Sequence, residues 1–393
     1  MIFDISLKNN QKKKINWNTL NLKLLNKKKC IIFKKYNNII SEKKSLIDTP
    51  IYNSKWDKMK KNANPYELVY TAFNKKNKKE SIADYKPISR SFFKLLEIDN
   101  MLNLIGEKEN YFIANLAEGP GGFMEALIKK YFGKKKLLLY GFTLPPSNKY
   151  IPDWSKMKKN FLLKNVNISY GNLYKIEDVR NFIKLFNGNK CLLSTADGGF
   201  DYSKNFNGQE IDSYRIIFSE IFVSFLLLEK GGNFVCKFFD IFTLFTIKML
   251  YVLINCFEKV YITKPKTSRQ ANSEKYIVCK GFIGINKEME KCIYKLFNKM
   301  ENLVNLNNNF VLDFENLNIT NNFIKKINNI NEIYTENQIS HLEKVFKLIE
   351  DDELDKKIDD IKTIQVNNAV HWCIENNIKI NKESYFYTKY FKN

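Results

Sequence analysis

Glycine constrains this chain more than any other residue does. Twelve of its 15 glycines fall between Gly119 and Gly232, less than a third of the 393 residues, and the first hundred residues contain none. Tight strand-to-helix turns need glycine, so they are concentrated in the middle of the chain. There, short apolar runs alternate with longer helical ones. The pattern predicts strands over Tyr111–Leu116, Leu137–Phe142, Val166–Tyr170, Lys190–Ala196, Asn233–Phe238, Val260–Thr263 and Tyr276–Cys279. Helices are expected from Phe123, over Ile176–Phe186, up to Leu228 and over Phe242–Phe257. Such alternation implies a mostly parallel sheet covered on both faces, with ligands at the carboxyl ends of the strands.

The flanks read differently. Residues 1–83 form a basic extension rich in Lys and Asn, residues 84–285 hold the α/β core, and residues 286–393 read as a mainly helical extension. The chain carries a formal charge of +22, yet only four of its 64 basic residues are arginines. Lys, Asn, Ile, Phe and Tyr abound together, as in an A/T-rich genome, so codon supply accounts for part of the charge. Whatever its origin, a field of this sign attracts phosphate. The seven cysteines include no C-x-x-C pair and no cluster with the two histidines, so neither structural zinc nor a disulfide framework is expected. The longest apolar runs, Ile216–Leu228 and Leu244–Phe257, are broken by Glu220 and Lys248. No membrane span or secretion signal is expected, and the compartment is read as a reducing intracellular one.

Several constellations could carry chemistry. Asn115-Leu-Ala-Glu118-Gly119-Pro120-Gly121-Gly122-Phe123 lies between a strand and a helix, where glycines admit a ligand to free backbone N–H groups. It is a nucleotide-type cofactor loop, but a proline interrupts the glycines and no Gly-Lys-Ser/Thr follows, which weakens a dinucleotide site and excludes a P-loop. A ligand-free turn is the alternative. Asp197-Gly-Gly places a carboxylate at a strand end with space in front of it. Lys237 ends an apolar strand, where an ammonium needs a partner or neutralisation. Ser268, Arg269, Asn272 and Glu274 crowd one polar loop, and Arg90 and Lys94 lie on a helix before the first strand. Both histidines fall in the C-terminal flank, so a base in the core must be a carboxylate or a lysine.

Taken in order, Lys94, Asp197, Lys237 and Glu274, with the E-G-P-G-G-F loop between the first two, resemble the K-D-K-E tetrad of FtsJ-like ribose 2′-O-methyltransferases. Ala196-Asp-Gly-Gly-Phe200, Phe234-Val-Cys-Lys237, Lys264-Pro265 and Asn272-Ser-Glu274 are similar to the motifs of the cap-specific mRNA members of eukaryotes and large DNA viruses. The resemblance covers about residues 84–285. It implies a Rossmann-like methyltransferase fold with a seven-stranded sheet and S-adenosylmethionine as cofactor. The cofactor residues would be Asn115, Glu118, Gly119, Pro120, Gly121, Gly122, Phe123, Thr143, Asn172 and Asp197. Two positions depart from the family: Asn115 replaces an acid, and no carboxylate follows the second strand.

The expected chemistry is methyl transfer to the ribose 2′-OH of the first transcribed nucleotide of capped mRNA. Lys237 is the expected base, its pKa lowered by Lys94 and by the cofactor's charge, with Asp197 orienting it. Arg90, Ser268, Arg269, Asn272 and Glu274 would hold ribose and phosphates; Phe200, Tyr202 and Glu210 are candidates for stacking on and hydrogen-bonding a methylated guanine. Other capping or transcription proteins are further expected partners, in the cytoplasm for a viral protein and the nucleus for a cellular one. Methylation of rRNA or tRNA, or a non-catalytic RNA-binding subunit, are the competing readings.

Overall fold

In the computed structural model, residues 1–71, 80–106, 110–146, 154, 165–200, 207–304 and 310–391 are described. The central sheet is built on β3 (Asn110–Leu116), β4 (Lys136–Thr143), β5 (Val166–Tyr170), β6 (Cys191–Ala196), β7 (Leu228–Phe238), β8 (Phe257–Thr263) and β9 (Lys275–Phe282). All seven expected strands are present; the largest shift of an end is in β7, which starts at Leu228 rather than Asn233. The order is β1-β8-β9-β7-β6-β3-β4-β5, so the sheet has eight strands rather than seven. The extra one, β1 (Ile2–Asp4), pairs with the outer edge of β8, Phe3 opposite Ile262. Strands β5, β4, β3, β6 and β7 run parallel, while β9 is antiparallel to both β7 and β8. This reversal brings the start of β9 beside the carboxyl end of β7, with Lys237 opposite Tyr276.

Side chains alternate across each strand, so each face of the sheet has its own apolar layer. One face takes Ile113, Leu193, Val235 and Val278 and is covered by α4 (Ser91–Leu102) and α5 (Gly122–Tyr131). The other takes Ala114, Phe234, Cys236 and Ile277 under α6 (Ile176–Lys184), α7 (Gln209–Leu227), α8 (Leu244–Cys256) and α9 (Lys287–Val304).

Both flanks join these layers. Ile5, Leu20 and Leu22 enter one cluster; Leu68, Val69, Ile82 and Trp372 enter the other. A second sheet, absent from the sequence expectation, pairs β2 (Asn21–Asn26) with β10 (Phe310–Glu315). The C-terminal flank is otherwise helical, with α10 (Asn321–Glu350) and α11 (Leu354–Glu375). Helix α8 is buried over most of its length, and the ammonium of its Lys248 meets Asp313 of β10 at 2.8 Å and the Phe314 carbonyl at 2.6 Å. That pairing explains how an apolar run tolerates a lysine. Among the described residues, no helix is long and apolar enough to cross a membrane.

Candidate active site

Three parallel strands deliver their ends to one rim: β3 leads into the Glu118 loop, β6 into Asp197, and β7 carries Lys237 one residue before its end. The reversed strand β9 starts immediately after Glu274, and α4 reaches across with Lys94. The four charges alternate and pair. Lys94 Nζ lies 2.7 Å from Glu274 Oε1, and Lys237 Nζ lies 3.2 Å from Asp197 Oδ1 while donating to the Asp197 carbonyl at 2.7 Å. Tyr276, whose motif the sequence displays but whose role it does not, bridges the two pairs. Its hydroxyl donates to Asp197 Oδ1 at 3.1 Å and reaches Glu274 Oε1 at 3.4 Å. Ser268 Oγ adds a bond to Glu274 Oε1 at 2.9 Å.

The electrostatics correct the sequence expectation for Lys237. Burial would favour its neutral amine, but the carboxylates of Asp197, Glu274 and Glu220 outweigh burial and hold the ammonium above the ordinary lysine range. Lys94, expected to repel it, is engaged with Glu274. Burial would likewise raise Glu274, yet Lys94 and Lys237 pull its carboxyl down to about 2. Lys264, by contrast, is depressed, pushed to about 7 by burial and by Lys275. Its amine donates to the carbonyls of Asn272 and Glu274 at 2.6 and 2.7 Å, so it shapes the loop bearing the glutamate.

The loop after β3 is polar inside and incompletely bonded. Asn115 Nδ2 donates to Thr195 Oγ1 at 2.7 Å, and that hydroxyl donates to Glu118 Oε2 at 3.1 Å. Among the described residues, Asn115 Oδ1 and Glu118 Oε1 are buried without a hydrogen-bond partner. Burial, with the charge of Asp197, pushes the Glu118 carboxyl well above the usual range. Gly121 adopts φ +107°, and a Cβ at Gly122 would collide with the hydroxyls of Ser89 and Ser91. Gly122 is therefore required by packing between α5 and the start of α4. Thr143 ends β4, its carbonyl accepting from Gly171, and Asn172 follows β5 with its side chain accepting from Tyr174 N. These two sit on the same rim, since Ala117 N donates to the Phe142 carbonyl at 2.8 Å. Two orphaned atoms fit a ligand that brings its own amine or hydroxyl donors.

Of the expected substrate residues, Arg90 and Arg269 converge on Glu67, Ser268 binds Glu274, and Asn272 gives its carbonyl to Lys264. Phe200 is half exposed beyond Asp197, and Tyr202 lies outside the described residues. Glu210 differs from expectation. It is buried, with its carboxylate accepting from the backbone N–H groups of Phe242 and Thr243, so it anchors the approach to α8 and presents no free edge to a base.

Residues 87–282 match the model of the FtsJ-like methyltransferases. The chain is 32% identical over 348 residues to cap-specific mRNA (nucleoside-2′-O-)-methyltransferase 1 of Dictyostelium discoideum, covering 80% of this chain and 45% of that one. The human protein of that name is 29% identical over 308 residues, covering 74% of this chain and 36% of its own. An inactive cap-specific mRNA (nucleoside-2′-O-)-methyltransferase 1B of Caenorhabditis briggsae is 27% identical over 325 residues, covering 72% and 36%. The chain thus spans less than half the length of these relatives, and its similarity extends to one named as inactive. Through the core that carries the four paired charges, the chain belongs to the FtsJ-like methyltransferase family.

Proposed function

We propose that the protein methylates the ribose 2′-OH of the first transcribed nucleotide of capped mRNA, using S-adenosylmethionine. The observation that carries this reading is the pairing of Lys94 with Glu274 and Lys237 with Asp197 beside a strand end and loop with two buried polar atoms unpartnered among the described residues. Asn115, Glu118 and Gly121 would hold the cofactor, with Thr143 and Asn172 farther along the rim. When bound, the cofactor supplies an electrophilic methyl group on a sulfonium.

Accepting that methyl group would form a C–O bond at the ribose as the S–C bond of the cofactor breaks, and the hydroxyl would have to give up its proton to a group of this chain. Lys237 takes that proton only after losing its own, so the amine must be discharged before the hydroxyl is. Asp197 aims the amine through its carboxylate and its backbone carbonyl. Glu274, locked by Lys94, Ser268 and Tyr276, orients the ribose, and this network costs no reorganisation at the moment of reaction.

The test is transfer of labelled methyl from S-adenosylmethionine to capped and uncapped versions of one RNA, alongside rRNA and tRNA fragments. Label on the first nucleotide of the capped RNA alone is expected. Equal labelling of rRNA or tRNA would replace the cap reading, and no transfer to any RNA would make the chain a non-catalytic subunit, as its resemblance to an inactive relative allows.

A further inference from the structure

Arg90 and Arg269 come from different elements, one on the segment that begins Lys94's helix and the other on the loop of Glu274. Both guanidiniums nevertheless end on one carboxylate. Glu67 Oε1 accepts from Arg269 Nη2 at 2.7 Å and Arg90 Nη1 at 3.3 Å, and Oε2 accepts from Arg269 Nε at 3.0 Å. Glu67 itself is 5% exposed, while the arginine side chains are 26% and 23% exposed. Arg90 is further fixed by the carbonyls of Tyr70 at 2.6 Å and Thr267 at 3.3 Å.

Glu67 lies outside the segment that matches the family, and both flanks hold it. Asn64 Nδ2 donates to its Oε2 at 2.8 Å, and Gln365 of α11 donates to the carbonyls of Lys61, Asn62 and Asn64. Without the acid, two guanidiniums in so small a volume repel each other. With it, they hydrogen-bond one carboxylate, sum with it to a net charge of +1, and remain partly exposed. A planar, weakly hydrated fork of this kind matches a phosphodiester.

We propose that Glu67 is the positioning residue of a phosphodiester subsite. It holds Arg90 and Arg269 as one preformed fork that grips a backbone phosphate beside the ribose presented to the tetrad. This rests on the reading that the site takes RNA. The competing role for Glu67 is a tie that only keeps the Lys94 and Glu274 segments in register, and the two roles separate experimentally.

The test is Glu67→Gln, read by fluorescence anisotropy with a 5-prime-capped and an uncapped RNA oligonucleotide, by calorimetry with S-adenosylhomocysteine, and by steady-state methyl transfer. The RNA Kd and KM should rise about tenfold or more, and the dependence of log affinity on log salt should become shallower by about one phosphate contact. The kcat at saturating RNA and the S-adenosylhomocysteine affinity should hold. In an Arg90→Lys, Arg269→Lys background the same change should add nothing. Unchanged RNA affinity overturns the proposal, and so does a joint fall of kcat and cofactor affinity, which marks the tie. If Glu67→Gln does not fold, Glu67→Asp keeps the charge with a shorter reach and should raise Kd by an intermediate amount; no rise would also overturn it. Because RNA binding is read without turnover, a protein that binds RNA through Glu67 but does not methylate caps refutes the proposed activity alone.

Discussion

The two halves of the site treat buried polarity in opposite ways. At the tetrad each ammonium faces a carboxylate, and Tyr276 and Ser268 add hydrogen bonds to the acids. At the end of β3 and in the loop after it, Asn115 Oδ1 and Glu118 Oε1 are buried with no partner among the described residues. A buried polar atom left unpaired costs about 1–3 kcal/mol, so under the proposed function the loop gains from a ligand that bonds these atoms, while the tetrad's charges already pair with one another. On the proposed function, reaction geometry rests on the tetrad's own ion pairs, and cofactor affinity would draw on the unpaired oxygens of Asn115 and Glu118.

The strongest way to break this contrast is at Lys237. Lys237→Ala should lower kcat by about a thousandfold or more and leave S-adenosylhomocysteine binding nearly intact. Lys237→Arg should be almost as damaging, since a guanidinium cannot accept a proton. Near-normal turnover in Lys237→Arg would make the lysine a stabiliser of charge rather than a base.

The pH profile sharpens the same point. With Lys237 held above the ordinary lysine range in the free protein, kcat/KM should still be climbing at about pH 9. The kcat profile, measured with both substrates bound, should rise at lower pH, because a bound sulfonium adds positive charge. A kcat/KM plateau from neutral pH upward would mean that the proton leaves by another route. The stability effect of Glu274 runs the other way: its pKa is lowered from 4.5 to about 2 on folding. Its contribution is full above 4.5 and disappears as pH falls toward 2, so acid unfolding should shift to higher pH in the Lys94→Met variant.

At the loop, Asn115→Leu or Glu118→Leu should weaken S-adenosylhomocysteine binding about tenfold and change kcat little. Glu118→Gln, close in shape to the neutral acid, should cost much less. A fall in kcat without a change in cofactor affinity would place these residues with the tetrad. The smallest expected effect is Tyr276→Phe, which removes one hydrogen bond from Asp197 and should lower kcat a few-fold, with the tetrad's ion pairs retained.

What could be read from sequence was what local pattern encodes. Val166–Tyr170 reads as a strand and is β5, because Val166, Ile168 and Tyr170 alternate with Asn167 and Ser169 at the two-residue period of a strand. Lys94, Asp197, Lys237 and Glu274 could be singled out because motifs in fixed order surround them. Strands β1 and β2 were not legible: one is three residues long, both are set in lysine-rich surroundings, and their partners lie some 260 to 290 positions away. Glu67 was missed for the same reason, its meaning being supplied by Arg269 across 202 residues. The charge state of Lys237 depends on how closely three carboxylates gather, which no spacing along the chain reveals. Glu210 looked like a recognition residue because its burial and its backbone partners are properties of the folded chain only.

Helix α8 carries one last consequence. A helix that is apolar nearly all round has no greasy stripe to tell the chain which side should face inward, and could settle in several rotational settings of similar energy. The single ammonium of Lys248, met by Asp313, selects one setting, because every other rotation strands two charges in hydrocarbon. The pair then acts as an address rather than as glue. Replacing Lys248 and Asp313 together with Met and Leu should keep or raise Tm while the near-ultraviolet dichroism of the surrounding aromatics weakens, whereas Lys248→Met alone should cost up to about 3–5 kcal/mol by leaving the buried acid with only the half-exposed Lys23, 4.0 Å away. A double variant with undiminished tertiary signal would show that packing alone suffices to dock the helix.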